Sequence, residues 1–376
     1  MPIPMIDEQN NNSNNEMNLT LDENNKSNND KIEEKKDLQG ANTIITKNDI
    51  SSTENVIKLF EKVCPKFLEM YEIKECIGAG SESFVFKAIH SKSKKPIAIK
   101  LILNDEEKNR NYSELNIINK IKNKNIITYY GVHEIKKNEL DCIIMEYAKF
   151  GNIRDFQKNI LKREDISEQL LCYFTFQILN GLKYCNMCKI THFDMKPQNI
   201  IIDDYLTAKI IDFSVSLDYS KINSNKIKLP FRGTSFYMAP EVIKRKIINK
   251  KDLNKIDLYS LGVILYHLSF YTYPYNLNNE DRSDYDKIYN KITTNELTFN
   301  NEYNSFSLHF IDFLKRLLEK DINKRINIYE ALNHYWIKGG NILFNEKEKI
   351  LNVNSFLMNL TSNYIMSFNE YINFID

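Results

Sequence analysis

Between Ser83 and Ala148 apolar residues tend to fall on alternate positions. "SFVFKAIH" (83–90) and "PIAIKLI" (96–102) combine this near-alternation with β-branched and aromatic side chains, and "LDCIIMEYA" (140–148) has the same make-up. Each predicts a strand. One segment among them breaks the pattern. In "SELNIINKI" (113–121), Glu114, Ile117, Ile118 and Ile121 fall at i, i+3, i+4 and i+7, which is one face of a helix. After residue 150 the period becomes helical, in "EQLLCYFTFQILNGLKY", "LYSLGVILYHL", "FSLHFIDFLKRLLEK" and "INIYEALNHYW". A small, mainly β region therefore precedes a larger, mainly α region, an α+β architecture of two lobes.

Composition changes this picture at the ends. About a third of residues 1–30 are Asn, and apolar residues are sparse. Such a segment buries too little surface to offset its ordering entropy, so 1–65 is expected to be a disordered extension, with order beginning near "CPKFLEMYEIKECIG". The expected divisions are then 66–149, 150–337 and a C-terminal tail 338–376. In the tail, Ile350, Leu351, Phe356 and Leu357 recur at helix-like spacing. The net charge of +1 gives no reason to expect a nucleic-acid partner, and no apolar run reaches the length of a membrane span. "MPIPMIDEQ" lacks a basic-then-apolar leader, Pro2 does not suit N-myristoylation, and "NFID" is no prenylation site. The expectation is an intracellular chain, cytoplasmic or nuclear. Cys185 and Cys188 form a CxxC without a second pair to complete a zinc site, so all six cysteines are read as free thiols.

Candidate chemistry sits at the joints of the pattern. Gly78 and Gly80 in "IGAGSESFVF" lie in a turn between two strand-like runs, where backbone N–H groups can approach phosphate oxygens. A strand follows rather than a helix, which argues against a dinucleotide fingerprint. Lys100 shares a strand face with Ala98. Glu114 lies on the apolar face of its helix, and a carboxylate there needs a cation, for which Lys100 is the candidate. "HFDMKPQN" (192–199) supplies Asp194, Lys196 and Asn199 in one loop, and Asp212 follows the apolar strand "AKII". An Asp and an Asn at such loop–strand junctions can offer hard oxygens to Mg²⁺, leaving a second carboxylate to accept a proton.

In order and approximate spacing these segments resemble the eukaryotic protein kinase domain, Ser/Thr type, over residues from about 70 to 337. The resemblance implies a bilobal fold that transfers the γ-phosphate of MgATP to a protein Ser/Thr hydroxyl, with Mn²⁺ as the alternative ion. It implies Asp194 as base, Lys196 at the γ-phosphate and Lys100 at the phosphates, paired with Glu114. Asn199 and Asp212 would be the metal ligands, and Thr234 would lie near Asp194. The nucleotide would be bounded by Ile77, Gly78, Ala79, Gly80, Val85, Ala98 and Met145, with Glu146 to Ala148 as hinge. Glu241 of "MAPE" would pair with Arg325, and Asp257 matches a late motif. A protein substrate, a monomeric catalytic domain and room for a regulatory partner follow from the same resemblance. The alternative is a nucleotide-binding pseudokinase serving as a scaffold or allosteric partner.

Three positions depart from the pattern. Ser83 replaces a third glycine. Ser214 replaces the glycine after Asp-Phe, at a cost of roughly 1 kcal/mol if that backbone needs φ > 0. Phe193 replaces the Arg that commonly pairs with an activation-loop phosphate, so activity is expected not to depend on phosphorylation of Ser216, Ser220 or Ser224. A general base contributes about 10²–10⁴-fold and positioning roughly 7–11 kcal/mol. The residues that carry those effects are all present, which favours an enzyme. Asn152 and Gln198 stand where kinases that prefer basic substrates often carry Glu, which disfavours a strong Arg preference.

Overall fold

The structure is a computed structural model, and it describes residues 46–80, 83–103, 112–136, 140–161, 166–299 and 306–342. The Asn-rich stretch 1–45 and the apolar tail positions Ile350 to Leu357 lie outside these residues. A 3-10 turn at Lys47–Ile50 opens the described chain, and two helices follow, α1 (Thr53–Val63) and α2 (Pro65–Met70). Ser52 caps α1 by accepting from the Asn55 N–H at 3.2 Å, and Glu54 complements the helix dipole in the first turn. This corrects the expected disorder over 46–65. Val56 and Phe60, four residues apart, supply an apolar face that the Asn-rich composition of the surrounding sequence obscures.

The small lobe is a five-stranded antiparallel sheet in the order β1-β2-β3-β5-β4. Its strands are β1 (Tyr71–Ala79), β2 (Ser83–His90), β3 (Pro96–Leu103), β4 (Tyr129–Lys136) and β5 (Leu140–Glu146). Register and alternation sort the side chains between two faces. Phe84, Phe86, Ile97, Ile99, Leu101, Cys142 and Ile144 form one core with Val56, Phe60 and Phe67 of the opening helices. Val85 stands opposite Lys100, and Ala98 opposite Met145, so these four turn to the other face. Helix α3 (Tyr112–Ile118) connects β3 towards β4, and Glu114, Ile117, Ile118 and Ile121 are all buried, as the helical spacing requires.

The large lobe starts with the short α4 (Ile153–Asp155) and a π-helical turn at Phe156–Ile160. Helix α5 (Glu168–Met187) follows, capped by Ser167. Four short strands come next: β6 (Ile190–Thr191), β7 (Ile200–Ile202), β8 (Ala208–Ile210) and β9 (Leu217–Asp218). After β10 (Lys226–Lys228), α6 (Pro240–Ile243) and β11 (Ile247–Asn249) comes the central helix α7 (Asn254–Phe270). Helix α7 is apolar nearly all round and is accordingly buried nearly all round. A Cβ on Gly262 would lie 2.9 Å from the Leu317 Cβ, so that glycine sets how closely α7 approaches α9. Helices α8 (Tyr285–Thr294), α9 (Leu308–Leu317), α10 (Ile328–Asn333) and α11 (Tyr335–Ile342) complete the lobe. Ile117 of α3 belongs to the same apolar core as Phe213 and α5, so the small-lobe helix is packed onto the large lobe.

Candidate active site

Two polar clusters meet where the lobes join. In the first, the Lys100 Nζ lies 3.0 Å from Glu114 Oε1 and 2.9 Å from Asp212 Oδ1. Burial pushes the Lys100 ammonium down, but the two carboxylates outweigh it and hold Lys100 above its ordinary value. Burial also pushes Glu114 up against the pull of Lys100. For Asp212 burial acts upward too, but Lys100 and the Ser214 hydrogen bond win, and its carboxyl sits at about 2. Asp212 is therefore a committed anion.

In the second cluster, Thr234 Oγ1 donates to Asp194 Oδ1 at 2.6 Å, and the Lys196 Nζ lies 2.5 Å from Asp194 Oδ2 and 3.1 Å from Thr234 Oγ1. Asn199 Nδ2 donates to the Asp194 carbonyl at 2.8 Å and to Oδ2 at 3.1 Å. Both carboxylate oxygens of Asp194 are thus held in place by neighbours on two separate segments. The backbone beneath is clamped from afar. Asp257, at the start of α7, accepts from the N–H groups of His192 at 2.8 Å and Phe193 at 2.9 Å. Its burial raises its pKa, with His192 opposing. The His192 Nε2 pairs with the Ile211 carbonyl at 2.9 Å, and its ring meets the Phe213 ring edge-on at 4.9 Å. Sequence reasoning matched Asp257 to a late motif but missed this clamp and the place of His192, because such contacts join distant segments and leave no periodic trace.

Strain sits at Phe193 and Asp212, not at Ser214. Phe193 has φ +67° and Asp212 φ +64°, whereas Ser214 is not among the residues of positive φ. The cost expected at Ser214 therefore does not arise there. Asp tolerates the left-handed region, but a bulky Phe is held in it at roughly 1–3 kcal/mol by its surroundings. Gly233, at φ +110°, passes so close that an added Cβ would lie 2.3 Å from the Phe193 carbonyl oxygen. Only glycine permits that approach.

Beside the polar clusters, Val85, Ala98, Met145 and Ala148 gather with Ile127, Tyr129, Ile201 and Ile211 into one apolar cluster spanning the two lobes. Ile77 is exposed, and the turn at its tip closes through the Gly80 N–H to the Ser83 carbonyl at 2.7 Å. Gly78 pairs with Val85 and Ala79 with Phe84 in the same hairpin. The Glu146 side chain is taken up in the scaffold. Its Oε1 accepts from the Thr128 N–H at 2.9 Å and pairs with Lys209 at 3.0 Å.

The segment from Asp212 to Glu241 is tied down by backbone. Strand β9 pairs with β6, and β10 pairs with β11, extended by Leu229 N–H to the Lys246 carbonyl and Lys250 N–H to the Asn225 carbonyl. The Arg232 guanidinium lies over the Phe193 ring at 5.9 Å and donates to the Val215 carbonyl at 2.9 Å. Ser216 is buried and donates to the His192 carbonyl at 3.1 Å, while Ser220 and Ser224 are exposed. At the far end of the segment Arg325 meets Glu241 in a bidentate pair at 2.7 and 3.0 Å.

The protein kinase domain family matches residues 71–337. The chain belongs to that family. Among curated relatives, this kinase domain is similar to a zebrafish (Danio rerio) Serine/threonine-protein kinase H1 homolog, 31% identical over 76% of this chain and 66% of the relative. It is also similar to a Dictyostelium discoideum Serine/threonine-protein kinase 4 homolog B, 31% identical over 74% of this chain and 24% of the relative. Human NUAK family SNF1-like kinase 1 is 29% identical over 72% of this chain and 39% of its own length. The matches thus span less than two thirds of each relative. The matched range leaves both α1 and α2 outside the kinase domain, although their side chains share its small-lobe core.

Proposed function

We propose that this chain is a Ser/Thr protein kinase that transfers the γ-phosphate of ATP, with Mg²⁺, to a Ser or Thr hydroxyl of a protein. The observation that carries this reading is the Asp194 cluster: a carboxylate oriented by Asn199, neutralised by Lys196 and hydrogen-bonded at 2.6 Å to a hydroxyl, that of Thr234. An acceptor hydroxyl entering beside Thr234 would give its proton to Asp194. The acceptor oxygen bonds to the γ-phosphorus as the bond from that phosphorus to the β–γ bridging oxygen breaks, and ADP leaves. Lys196 offsets the charge on the transferred group, and Lys100, aimed by Glu114, faces the phosphates held under the Gly78–Gly80 turn. The apolar cluster of Val85, Ala98, Met145, Ala148, Ile201 and Ile211 suits a planar base.

The donor set fits Mg²⁺. Asp212 is ionised, and Asn199 has its Nδ2 engaged by Asp194, which leaves Oδ1 as the ligand end. One carboxylate and one amide oxygen suit an ion that takes its other ligands from phosphates and water. When bound, the ion spreads the negative charge of the phosphate oxygens. The names of the similar kinases from zebrafish and Dictyostelium support a Ser/Thr acceptor.

The test is transfer of labelled phosphate from MgATP to a generic Ser/Thr protein, with Asp194→Asn as control. Transfer falling by about 10²–10⁴-fold in the variant, at unchanged melting temperature, supports the reading. No transfer from the native chain, with MgATP still raising the melting temperature, replaces it with a nucleotide-binding pseudokinase.

A further inference from the structure

Two arginines stand beside the place where the acceptor would lie, and no step so far uses them. Phe236 and Tyr237 follow by two and three residues Thr234, whose hydroxyl meets the Asp194 carboxylate. Arg282, on the turn before α8, lies over the Phe236 ring at 5.3 Å. Phe236 packs edge-on against Tyr273 at 4.6 Å, and Tyr273 stacks on His267 at 4.4 Å with their planes 10° apart. Arg154 lies on α4, which packs against the Pro197–Asn199 turn of the loop that carries Asp194. Both arginines are exposed, and neither has an ion-pair partner among the described residues. The two act on common neighbours. Besides burial and the Tyr273 contact, Tyr237 feels Arg154 and Arg282, and burial, Arg154 and Arg282 all hold the His267 imidazole below its ordinary value.

The carboxylates adjoining these arginines in sequence are engaged elsewhere. Asp155 is held by the Asn152 amide, and Asp281 is fully buried between Lys287 at 2.8 Å and Lys291 at 2.6 Å. The exposed Glu280 and Asp284 bear on Lys287, and Asp284 also caps α8 by accepting from the Lys287 N–H at 2.9 Å. The two arginines therefore offer exposed positive charge beside the acceptor site, over the buried rings of Phe236 and Tyr237 and the half-buried Tyr273. A guanidinium with free donors is a fork for a carboxylate, and exposure leaves both forks within reach of an extended peptide.

We propose that Arg154 and Arg282 select substrates with Asp or Glu side chains near the acceptor Ser or Thr. The proposal rests on the phosphotransfer reading above and gives that site its substrate class.

The test offers the full chain, with MgATP, Ser peptides flanked by Asp and Glu, by Arg and Lys, or by Ala. The acidic peptides are expected to have the lowest KM. The Arg154→Glu/Arg282→Glu variant is expected to raise that KM by about tenfold or more and to favour the basic peptides, with the KM for ATP unmoved. Fluorescence anisotropy of the same peptides on the native and variant chains reads selection without turnover. A native chain that prefers basic peptides, or a charge reversal that leaves peptide selection as it was, overturns the proposal. Absence of transfer to every peptide, with acidic-peptide binding that the reversal weakens, sinks the phosphotransfer reading and leaves the selection of acidic peptides by the two arginines standing.

Discussion

Arg325–Glu241 and Lys100–Glu114–Asp212 are both buried cation–carboxylate clusters, and they differ in what they leave free. The side chains of Arg325 and Glu241 are 0% and 2% exposed, and the guanidinium also donates to the Glu319 and Lys255 carbonyls and lies over the Tyr259 ring. Four of its five N–H donors are used inside the fold. Lys100 and Glu114 are 12% and 5% exposed, but Asp212 is 32% exposed and reaches Lys100 through one oxygen. A pair that is dry and bonded on several sides serves as a staple. A cluster with one solvent-facing carboxylate keeps an anion poised for a ligand.

The largest effect that tests this contrast is on stability. Arg325→Ala strands Glu241 without its cation and is expected to cost about 3–5 kcal/mol, read from the midpoint of chemical denaturation. A loss below about 1 kcal/mol would show that the buried pair is no staple. Lys100→Met should behave differently. Transfer is expected to fall by about 10²–10³-fold, since the cation proposed to face the phosphates is gone, while the stability loss stays below that of Arg325→Ala. Equal stability losses in the two variants would erase the distinction.

Acid sharpens it further. The Asp212 carboxyl lies near 2, below its ordinary 3.8, so its ionised form stabilises the fold above about pH 4. That contribution should fade as pH falls from about 4 towards 2. Melting curves of the native chain and Asp212→Asn should therefore differ by a constant gap from neutrality down to pH 4 and converge below it. A gap that closes already between pH 7 and 5 would mean that Lys100 does not hold the carboxylate. The smallest expected effect is none. Phe193 offers an activation-segment phosphate no charge, and β6–β9 and β10–β11 already hold the segment by backbone bonds. Phosphatase treatment should leave transfer unchanged, and its loss on treatment would return control to Ser220 or Ser224.

Much of this was legible in the sequence because it is periodic or local. The spacing of Glu114 with Ile117, Ile118 and Ile121 announced a carboxylate on an inward face, and near-alternation placed β2 at 83–90 and β3 from 96. The asymmetry between Asp194 and its supports was also local, since Lys196 and Asn199 follow within five residues. What was not legible depends on contacts between distant segments. The Asp257 clamp, the squeeze of Gly233 against Phe193 and the pairing of β10 with β11 each join segments with no shared pattern. Arg154 and Arg282 share a neighbourhood only once the fold brings Tyr237 and His267 within the field of both. Helix α1 was missed for another reason. Its Val56 and Phe60 carry a helical signal, but they follow a long polar stretch that biases any reading by composition.

That helix has a practical consequence for anyone cutting the protein at the edge of its recognisable domain. Val56, Phe60 and Phe67 cover Phe84, Phe86, Ile97, Ile99 and Leu101 on the sheet, and Lys47 reaches over the Phe84 ring. A truncation that begins at Tyr71 would present that greasy sheet face to water. Contiguous apolar surface of this kind drives self-association, so the trimmed domain should collect in the insoluble fraction while the longer chain stays in solution.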